Sequence, residues 1–158
     1  MTTTVCRQCS ADTSLTRFDR LDGEDGDVHV SIQGLTAFDC TNGHKRFLTP
    51  DFPLRFVQTL LKSDDLVSAP LAVEKGFFRK RPHCPDCGQE LPGAPSSTAN
   101  ARTDLELPET EPIAVEVALP LYRCPGCNQE TTLPKPGVER GIMQAVANAF
   151  RSADIPPG

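Results

Sequence analysis

The sequence has few of the residues from which a large hydrophobic core is built. It contains no tryptophan and a single tyrosine, and only 38% of its 158 residues are hydrophobic. Fifteen prolines and eleven glycines interrupt most of the apolar stretches. Cores this small usually need disulfides or metal ions for stability. We therefore expect two small cores, each stabilised by such a crosslink.

Two further absences restrict the class of protein. No apolar run reaches the roughly 20 residues that span a bilayer, and the first residues lack the charged and apolar regions of a secretion signal. We expect a soluble, cytoplasmic protein with no membrane partner. The formal net charge is -5, whereas proteins that bind nucleic acid by bulk electrostatics usually carry a basic excess. In this protein only local basic patches could bind nucleic acid.

The sequence also lacks the motifs of common enzymes. It has no G-x-S-x-G, no phosphate-binding glycine loop and no H-E-x-x-H, and its serines and acidic residues are scattered without a partner histidine. We expect no catalytic residues and no small-molecule substrate.

Six of the seven cysteines occur as pairs with two-residue spacing. An odd number cannot pair completely as disulfides, and in a reducing cytosol this spacing is typical of metal sites. Two such pairs can direct four thiolates at one zinc ion. The pairs are CRQC (Cys6, Cys9), CPDC (Cys84, Cys87) and CPGC (Cys124, Cys127). The last two pairs predict a four-cysteine zinc site.

Cys40 is the cysteine without a partner three positions away. His44 follows it by four residues, and a tight turn at Asn42-Gly43 lies between them. We expect Cys40 and His44 to complete a zinc site with Cys6 and Cys9, His44 taking the place that Cys127 has in the other set. The alternatives are a buried free thiol beside an exposed histidine, or an iron-sulfur cluster.

Two structural Zn²⁺ ions are thus the predicted cofactors. Four protein ligands leave zinc no open position for water or substrate, so both ions should stabilise the fold and not perform chemistry. Because zinc binding is coupled to folding in such small cores, we expect the chain to unfold when metal is removed.

The same order of parts occurs twice along the chain. It predicts an α+β fold of two tandem zinc-ribbon-like repeats, each a small antiparallel β ribbon with two metal knuckles followed by a helix. The first repeat covers 1–65 with a helix at about 52–62, and its core-facing residues should be Leu54, Val57, Leu60 and Leu61. A connector covers 66–75. The second repeat covers 76–155, with a mobile insert at 92–112 and a helix at about 138–152.

The densest basic and aromatic cluster is GFFRKRPHC, from Gly76 to Cys84. Its side chains could stack on bases and hold phosphates, but basic groups beside a zinc-thiolate site also offset its negative charge, and we favour this second interpretation. One of the two phenylalanines should enter a core, since they alternate in direction if extended. The candidate binding patch comprises Phe77, Phe78, Arg79, Lys80, Arg81, Lys45 and Arg46, together with Phe47.

Residues 84 to about 153 resemble the zinc-binding domain of MqsA/YgiT-type antitoxins. The shared features are two C-x2-C pairs separated by a ribbon, then a leucine-proline step into a helix. The resemblance implies one zinc on Cys84, Cys87, Cys124 and Cys127 and contact with a protein partner. The first half matches more loosely, with His44 replacing a cysteine, and the sequence has no counterpart of that family's DNA-binding helix-turn-helix domain. CpXC-type proteins are a weaker likeness.

From these features we expect a non-catalytic, zinc-stabilised adaptor that binds another protein. The alternative is a nucleic-acid-binding factor, or one associated with the ribosome or RNA polymerase, which would use Phe77 to Arg81 and Lys45 to Phe47. A third hypothesis is a thiol redox switch that releases zinc on oxidation.

Overall fold

The computed structural model describes residues 5–108 and 110–156. Within these residues the chain forms ten strands, two α-helices and a short 3-10 helix at Asp64–Leu66, so the predicted α+β class is confirmed. The helices are α1 (Phe52–Leu61) and α2 (Lys135–Ser152). The strands are β1 (Thr13–Phe18), β2 (Leu21–Asp25), β3 (Val28–Gln33), β4 (Leu35–Cys40), β5 (Lys45–Arg46), β6 (Val73–Lys75), β7 (Arg81–His83), β8 (Ser97–Leu105), β9 (Ile113–Arg123) and β10 (Glu130–Thr131).

The largest sheet joins the two halves of the chain. Its central strand is β9, which pairs with β3 along one edge and with β8 along the other. The sheet continues from β3 to β2, while β10 pairs with the end of β9, and all these pairs are antiparallel. The β3–β9 register places Val30 opposite Val117 and Ile32 opposite Val115. The apolar alternation of each half therefore contributes to one shared surface.

One hydrophobic core contains residues from both halves, so the expectation of two separate cores is wrong. Its centre is an aromatic cluster in which Phe150 of α2 packs edge-on against Phe47 and Phe56, with ring centroids 4.9 and 5.5 Å apart. Neither half has enough apolar area to bury its own sheet, and each covers the other. A smaller cluster, which includes Cys84, Cys124 and Tyr122, adjoins this core through Leu133, which packs against both.

Gly23 lets α2 approach the sheet closely. A Cβ at this position would overlap the backbone of Ala145 and Ala149 in the helix. The helix begins at Lys135, three residues before the predicted start, because Pro136 is tolerated in a first helical turn. In the part of the chain that the structure describes, neither helix is long and apolar enough to cross a membrane.

The segment 92–112 is not the mobile insert that we expected. It contains β8, which pairs with β9 from Ser97 opposite Leu121 to Leu105 opposite Ile113. Ala101, Thr103 and Leu105 lie on the more buried side of β8. Alanine and threonine are only weakly hydrophobic, so the alternation of buried and exposed residues along β8 is faint in the sequence. A prediction based on large apolar residues therefore misses this strand.

The remaining strands form two small sheets, each of which lies next to a turn that contains cysteines. β4 pairs with β1 on one side and with the two-residue β5 on the other. β6 pairs with β7 in a separate hairpin. The predicted connector 66–75 is part of the folded structure, since Leu66 is buried in the main core and β6 begins at Val73.

Candidate metal centres

Three of the four cysteine turns share one backbone geometry. They begin at Cys6, Cys84 and Cys124. In each, the carbonyl oxygen of the first cysteine accepts a hydrogen bond of 2.9 Å from the amide four residues later, and its own amide donates to the carbonyl five residues later. The residue after the second cysteine is left-handed, with φ of 60° at Ser10, 76° at Gly88 and 64° at Asn128. This geometry turns the chain back so that both sulfurs face one point.

The turn from Cys40 to His44 has a different geometry. Gly43 donates to the Cys40 carbonyl at 2.9 Å, and Cys40 donates to the His44 carbonyl at 3.0 Å. Gly43 is left-handed at φ 83°, as expected for a three-residue hairpin loop between β4 and β5. This turn is one residue shorter than the other three, although its two candidate ligands are one residue further apart.

His44 therefore does not take the place of Cys127, as we had expected. In backbone hydrogen bonding it corresponds to Gln129, two residues further on, whose carbonyl likewise accepts from the first cysteine of its turn. The imidazole reaches further from the backbone than a thiol does. It can therefore bring Nδ1 to the cysteine sulfurs from a position at the start of the returning strand.

The first cluster combines Cys6, Cys9, Cys40 and His44. Their four candidate ligand atoms all lie within 4.8 Å of one another. Cys6 Sγ is 3.5 Å from His44 Nδ1, and Cys9 Sγ is 3.7 Å from Cys40 Sγ. A tetrahedron with zinc-sulfur bonds of about 2.3 Å has sulfurs about 3.8 Å apart, whereas a disulfide is about 2.05 Å long. The geometry fits a shared metal ion, and all seven cysteines are free thiols.

Hydrogen bonds in the first cluster favour the thiolate that a metal needs. Asn42 Nδ2 donates to Cys9 Sγ at 3.2 Å and, with the backbone amide of Ala11, lowers the pKa of Cys9 to about 6. The amide of Gln8 lowers the pKa of Cys6. Burial raises the pKa of Cys40, although the His44 amide donates to its sulfur at 3.3 Å. Sequence reasoning missed Asn42 as a supporting residue and assigned it only to the turn.

The second cluster combines Cys84, Cys87, Cys124 and Cys127. Its four sulfurs also lie within 4.8 Å of one another. The separations are 3.6 Å between Cys84 and Cys127 and 3.3 Å between Cys87 and Cys124. The amide of Cys127 lowers the pKa of Cys124 to about 7. Both clusters could thus hold a metal ion, and the structure brings together all eight predicted ligands.

The second cluster is half open to solvent. Cys84 and Cys124 are buried, whereas Cys87 and Cys127 are exposed. Two glutamines border it: Gln129 Oε1 lies 3.7 Å from Cys84 Sγ, and the Gln89 side chain covers Gly126, where a Cβ would overlap Gln89 Oε1. With glycine at this place in CPGC, Gln89 can lie over the turn, while the equivalent Asp86 of CPDC is exposed.

Phe77 and Phe78 both lie in the loop between β6 and β7, which we call the hairpin tip (residues 76–80). Both side chains are fully exposed, at 103% and 102%, so the expectation that one enters a core is wrong. Gly76 has φ 135°, and a Cβ there would overlap the carbonyl of Arg79. The loop reverses too tightly to fold a phenylalanine back onto the protein.

The other half of the predicted patch lies in a different sheet. Lys45 and Arg46 form β5 beside the first cluster, and the Arg46 guanidinium lies 4.7 Å from the centre of the Phe38 ring. Phe47 is 5% exposed and stacks on Phe52, so it is not available to stack on a base. In the hairpin, Arg81 pairs with Glu90 at 2.9 Å, which leaves Lys75, Arg79 and Lys80 as its exposed cations without an ion pair among the described residues.

Comparisons with known proteins do not assign the chain to a family. No protein-family model, no curated protein and no solved structure matches it. The likeness to MqsA/YgiT-type antitoxins therefore stays a prediction, and the functional argument depends on the two cysteine clusters and on the exposed surfaces of the fold.

Proposed function

We propose that the protein is a non-catalytic adaptor, stabilised by two zinc ions, that binds a protein partner through the hairpin tip. Cysteine thiolates with or without one imidazole, at tetrahedral separations, are the donor sets that structural zinc prefers. With four protein ligands on each ion, no position is left for a substrate. The function is then expected at the surface.

The observation that carries this proposal is the full exposure of two adjacent phenylalanines at the hairpin tip. Aromatic side chains offer about 150–250 Å² each to a partner, and they are frequent among the residues that dominate binding energy. Exposed apolar groups rimmed by charge typically mark interaction sites. Arg79 and Lys80 supply that rim and favour a partner with acidic groups around an apolar pocket.

The second zinc ion would hold the hairpin tip in a fixed conformation. Cys84 directly follows β7, and β6 pairs with β7 along its whole length. One strand of the hairpin is thus continuous with the four-cysteine cluster, and the other is held to it by backbone pairing. A loop that is already ordered loses less entropy on binding, which favours affinity.

Single-stranded nucleic acid is the alternative partner. Phe77 and Phe78 could stack on bases while Arg79 and Lys80 contact phosphates. The burial of Phe47 removes one of the three predicted stacking residues, and a net charge of -5 gives such binding little electrostatic support, so both count against it.

The test is affinity capture from nuclease-treated lysate, followed by titration of the captured protein in purified form. We expect the double variant Phe77→Ser, Phe78→Ser to lose at least about thirtyfold in affinity, the minimum that removal of one hot-spot residue implies. The control is Leu54→Gln, because Leu54 is also an exposed apolar residue, at 61%, and lies on α1.

Equal binding by the wild type and the double variant would overturn the hairpin tip as the docking site. Loss of capture on nuclease treatment, together with binding to labelled single-stranded RNA or DNA that weakens steeply with salt, would replace the protein partner with nucleic acid.

A further inference from the structure

We propose that the polar face of the large sheet is a second binding site, which takes a lysine or arginine side chain of an extended partner peptide. The face carries a groove of about 940 Å³ between β2 and β8, which we call the sheet groove. Its volume is within the range of binding clefts. It is separate from the hairpin tip, so its failure would leave the proposed adaptor function standing.

The groove exists because the central strands present short side chains on this face. Ser31 of β3 and Ala118 of β9 line it, and the outward Ala114 lines an adjoining groove of about 530 Å³. Longer polar side chains rise from the outer strands, among them Asp22 on β2 and Arg102 on β8. The alternation of the strands, which sends Val30 and Val117 to the core, fixes this arrangement.

Most charges along the groove already have partners. Arg20 bonds Asp22 at 3.0 Å, and His29 lies 3.1 Å from Glu24. Arg102 faces Asp104 at 3.9 Å, although Glu116 is its neighbour across the strands. Glu116 itself is half-buried and makes no hydrogen bond or ion pair with any residue that the structure describes.

Ser31 is the second polar group of the groove without a partner. It is 6% exposed, and its Oγ is buried with no hydrogen bond. A buried hydroxyl without a hydrogen bond destabilises the folded state, so native structures rarely keep one without a reason. Ser31 lies directly opposite Glu116 in the β3–β9 register. A hydroxyl and a carboxylate, both unsatisfied, therefore stand side by side on the groove floor.

The Ser31 hydroxyl and the Glu116 carboxylate together favour a cationic ligand that donates hydrogen bonds. A carboxylate accepts but does not donate, and an ammonium with three N–H groups or a guanidinium with five can bond both oxygens at once. Ca²⁺ takes six to eight oxygen ligands, most of which the protein usually supplies as carboxylates and carbonyls, and a single carboxylate with one hydroxyl is a poor site for it.

The extent of the groove favours a peptide as the source of the cation. It runs across four strands and is continued by the adjoining groove, which gives room for several residues on both sides of one basic side chain. The side-chain amide of Asn100, which lines it, can bond a peptide main chain. A free polyamine, which has no peptide main chain, would contact only the centre of the sheet groove.

The experiment uses amide chemical shifts of the full chain, titrated with short peptides of serine and glycine that carry one central arginine, lysine or glutamine. We expect the arginine and lysine peptides to shift the amides of Ser31, Glu116 and their strand neighbours, and the glutamine peptide to leave them unchanged. Glu116→Gln should weaken the arginine peptide at least about tenfold, the effect of one charge-assisted hydrogen bond.

Two variants and one competing ligand make the result decisive. Ser31→Val keeps a strand-forming residue, fills the floor and should block the peptide, with the unliganded spectrum serving as the check of folding. Glu74→Gln, the same charge change on exposed β6, should have no effect. The proposal is overturned if Glu116→Gln behaves like Glu74→Gln, if the glutamine peptide binds equally well, or if spermidine binds more tightly than either basic peptide.

Discussion

At the scale of single residues, the least expected feature is the position of His44. Its carbonyl closes the turn that begins at Cys40, whereas Cys127 lies inside its own turn. The ligand atom is nevertheless in place, since Nδ1 lies 3.5 Å from Cys6 Sγ. A ligand at position 44 must therefore have a side chain as long as that of histidine. The geometry of the turn thus determines which type of ligand this position can supply.

This link predicts that cysteine cannot replace His44. A thiol at position 44 would start from the strand and fall short of the other three ligands, although cysteine is as good a zinc ligand as histidine. We expect His44→Cys to lower zinc affinity at the first cluster about as much as His44→Ala does, as measured by competition with a chromophoric chelator. Wild-type affinity in the cysteine variant would show that the turn can adopt the geometry of the other three.

Asn42 supports a ligand without being one. Its amide donates to Cys9 Sγ, the sulfur with a pKa of about 6. Groups that bond to metal ligands typically contribute 10–100-fold to metal affinity, so Asn42→Ala should weaken zinc binding by about tenfold. Thr41→Ala, an exposed change in the same loop, is the control. Equal affinities in the two variants would exclude a role for the Asn42 side chain.

At the scale of secondary-structure elements, the sequence predicts strands and helices best where large apolar residues alternate or repeat at helical spacing. β3, β9 and both helices are of this kind. The buried face of α1 is nevertheless made by Phe52, Phe56 and Leu60, while Leu54, predicted to face the core, is 61% exposed. Periodicity places a helix well, but the face it buries depends on partners such as Phe150, which follow much later in the chain.

The contact between β2 and α2 could not be predicted from the sequence, because Gly23 lies in the stretch DGEDGD, whose glycines and acidic residues are typical of a surface turn. A Cβ there would overlap helix backbone and not a movable side chain. Overpacking of this kind costs about 1–3 kcal/mol, so we expect Gly23→Ala to lower the free energy of unfolding by about that amount in urea denaturation. In Gly93→Ala the new Cβ meets nothing within 4 Å, so this control should be neutral or slightly stabilising. Equal stability of both variants would contradict the close packing.

At the scale of the whole molecule, the cysteine spacing predicted the ligand sets better than it predicted the architecture. Each set depends on local turns, which short-range sequence determines. The shared sheet depends on the pairing of β3 with β9, whose residues are separated by about half of the chain. The similar order of parts in the two halves predicted two repeats, but neither half could bury its apolar face alone. The sequence contains no local signal for the pairing of β3 with β9, which buries both faces.

The single core also changes what metal removal should do. The main core contains none of the eight candidate ligands, whereas Cys84 and Cys124 belong to the smaller cluster. Regions with few buried apolar contacts open at lower free energy than the core does. We therefore expect a strong chelator to unfold the cysteine turns and the hairpin tip, while β3, β9 and α2 stay folded, in place of the complete unfolding that two zinc-dependent cores would show.

Hydrogen exchange followed by mass spectrometry distinguishes these outcomes. After chelation, the amides of Gly88 and Asn128, which close their turns on cysteine carbonyls, should exchange rapidly, while the paired amides of β3 and β9 should keep their protection. Restoring zinc should restore protection at the turns. Loss of protection in β3 and β9 at the same chelator concentration would mean that the metal ions hold the whole fold, because the core alone would then be too weak to offset the conformational entropy of the chain.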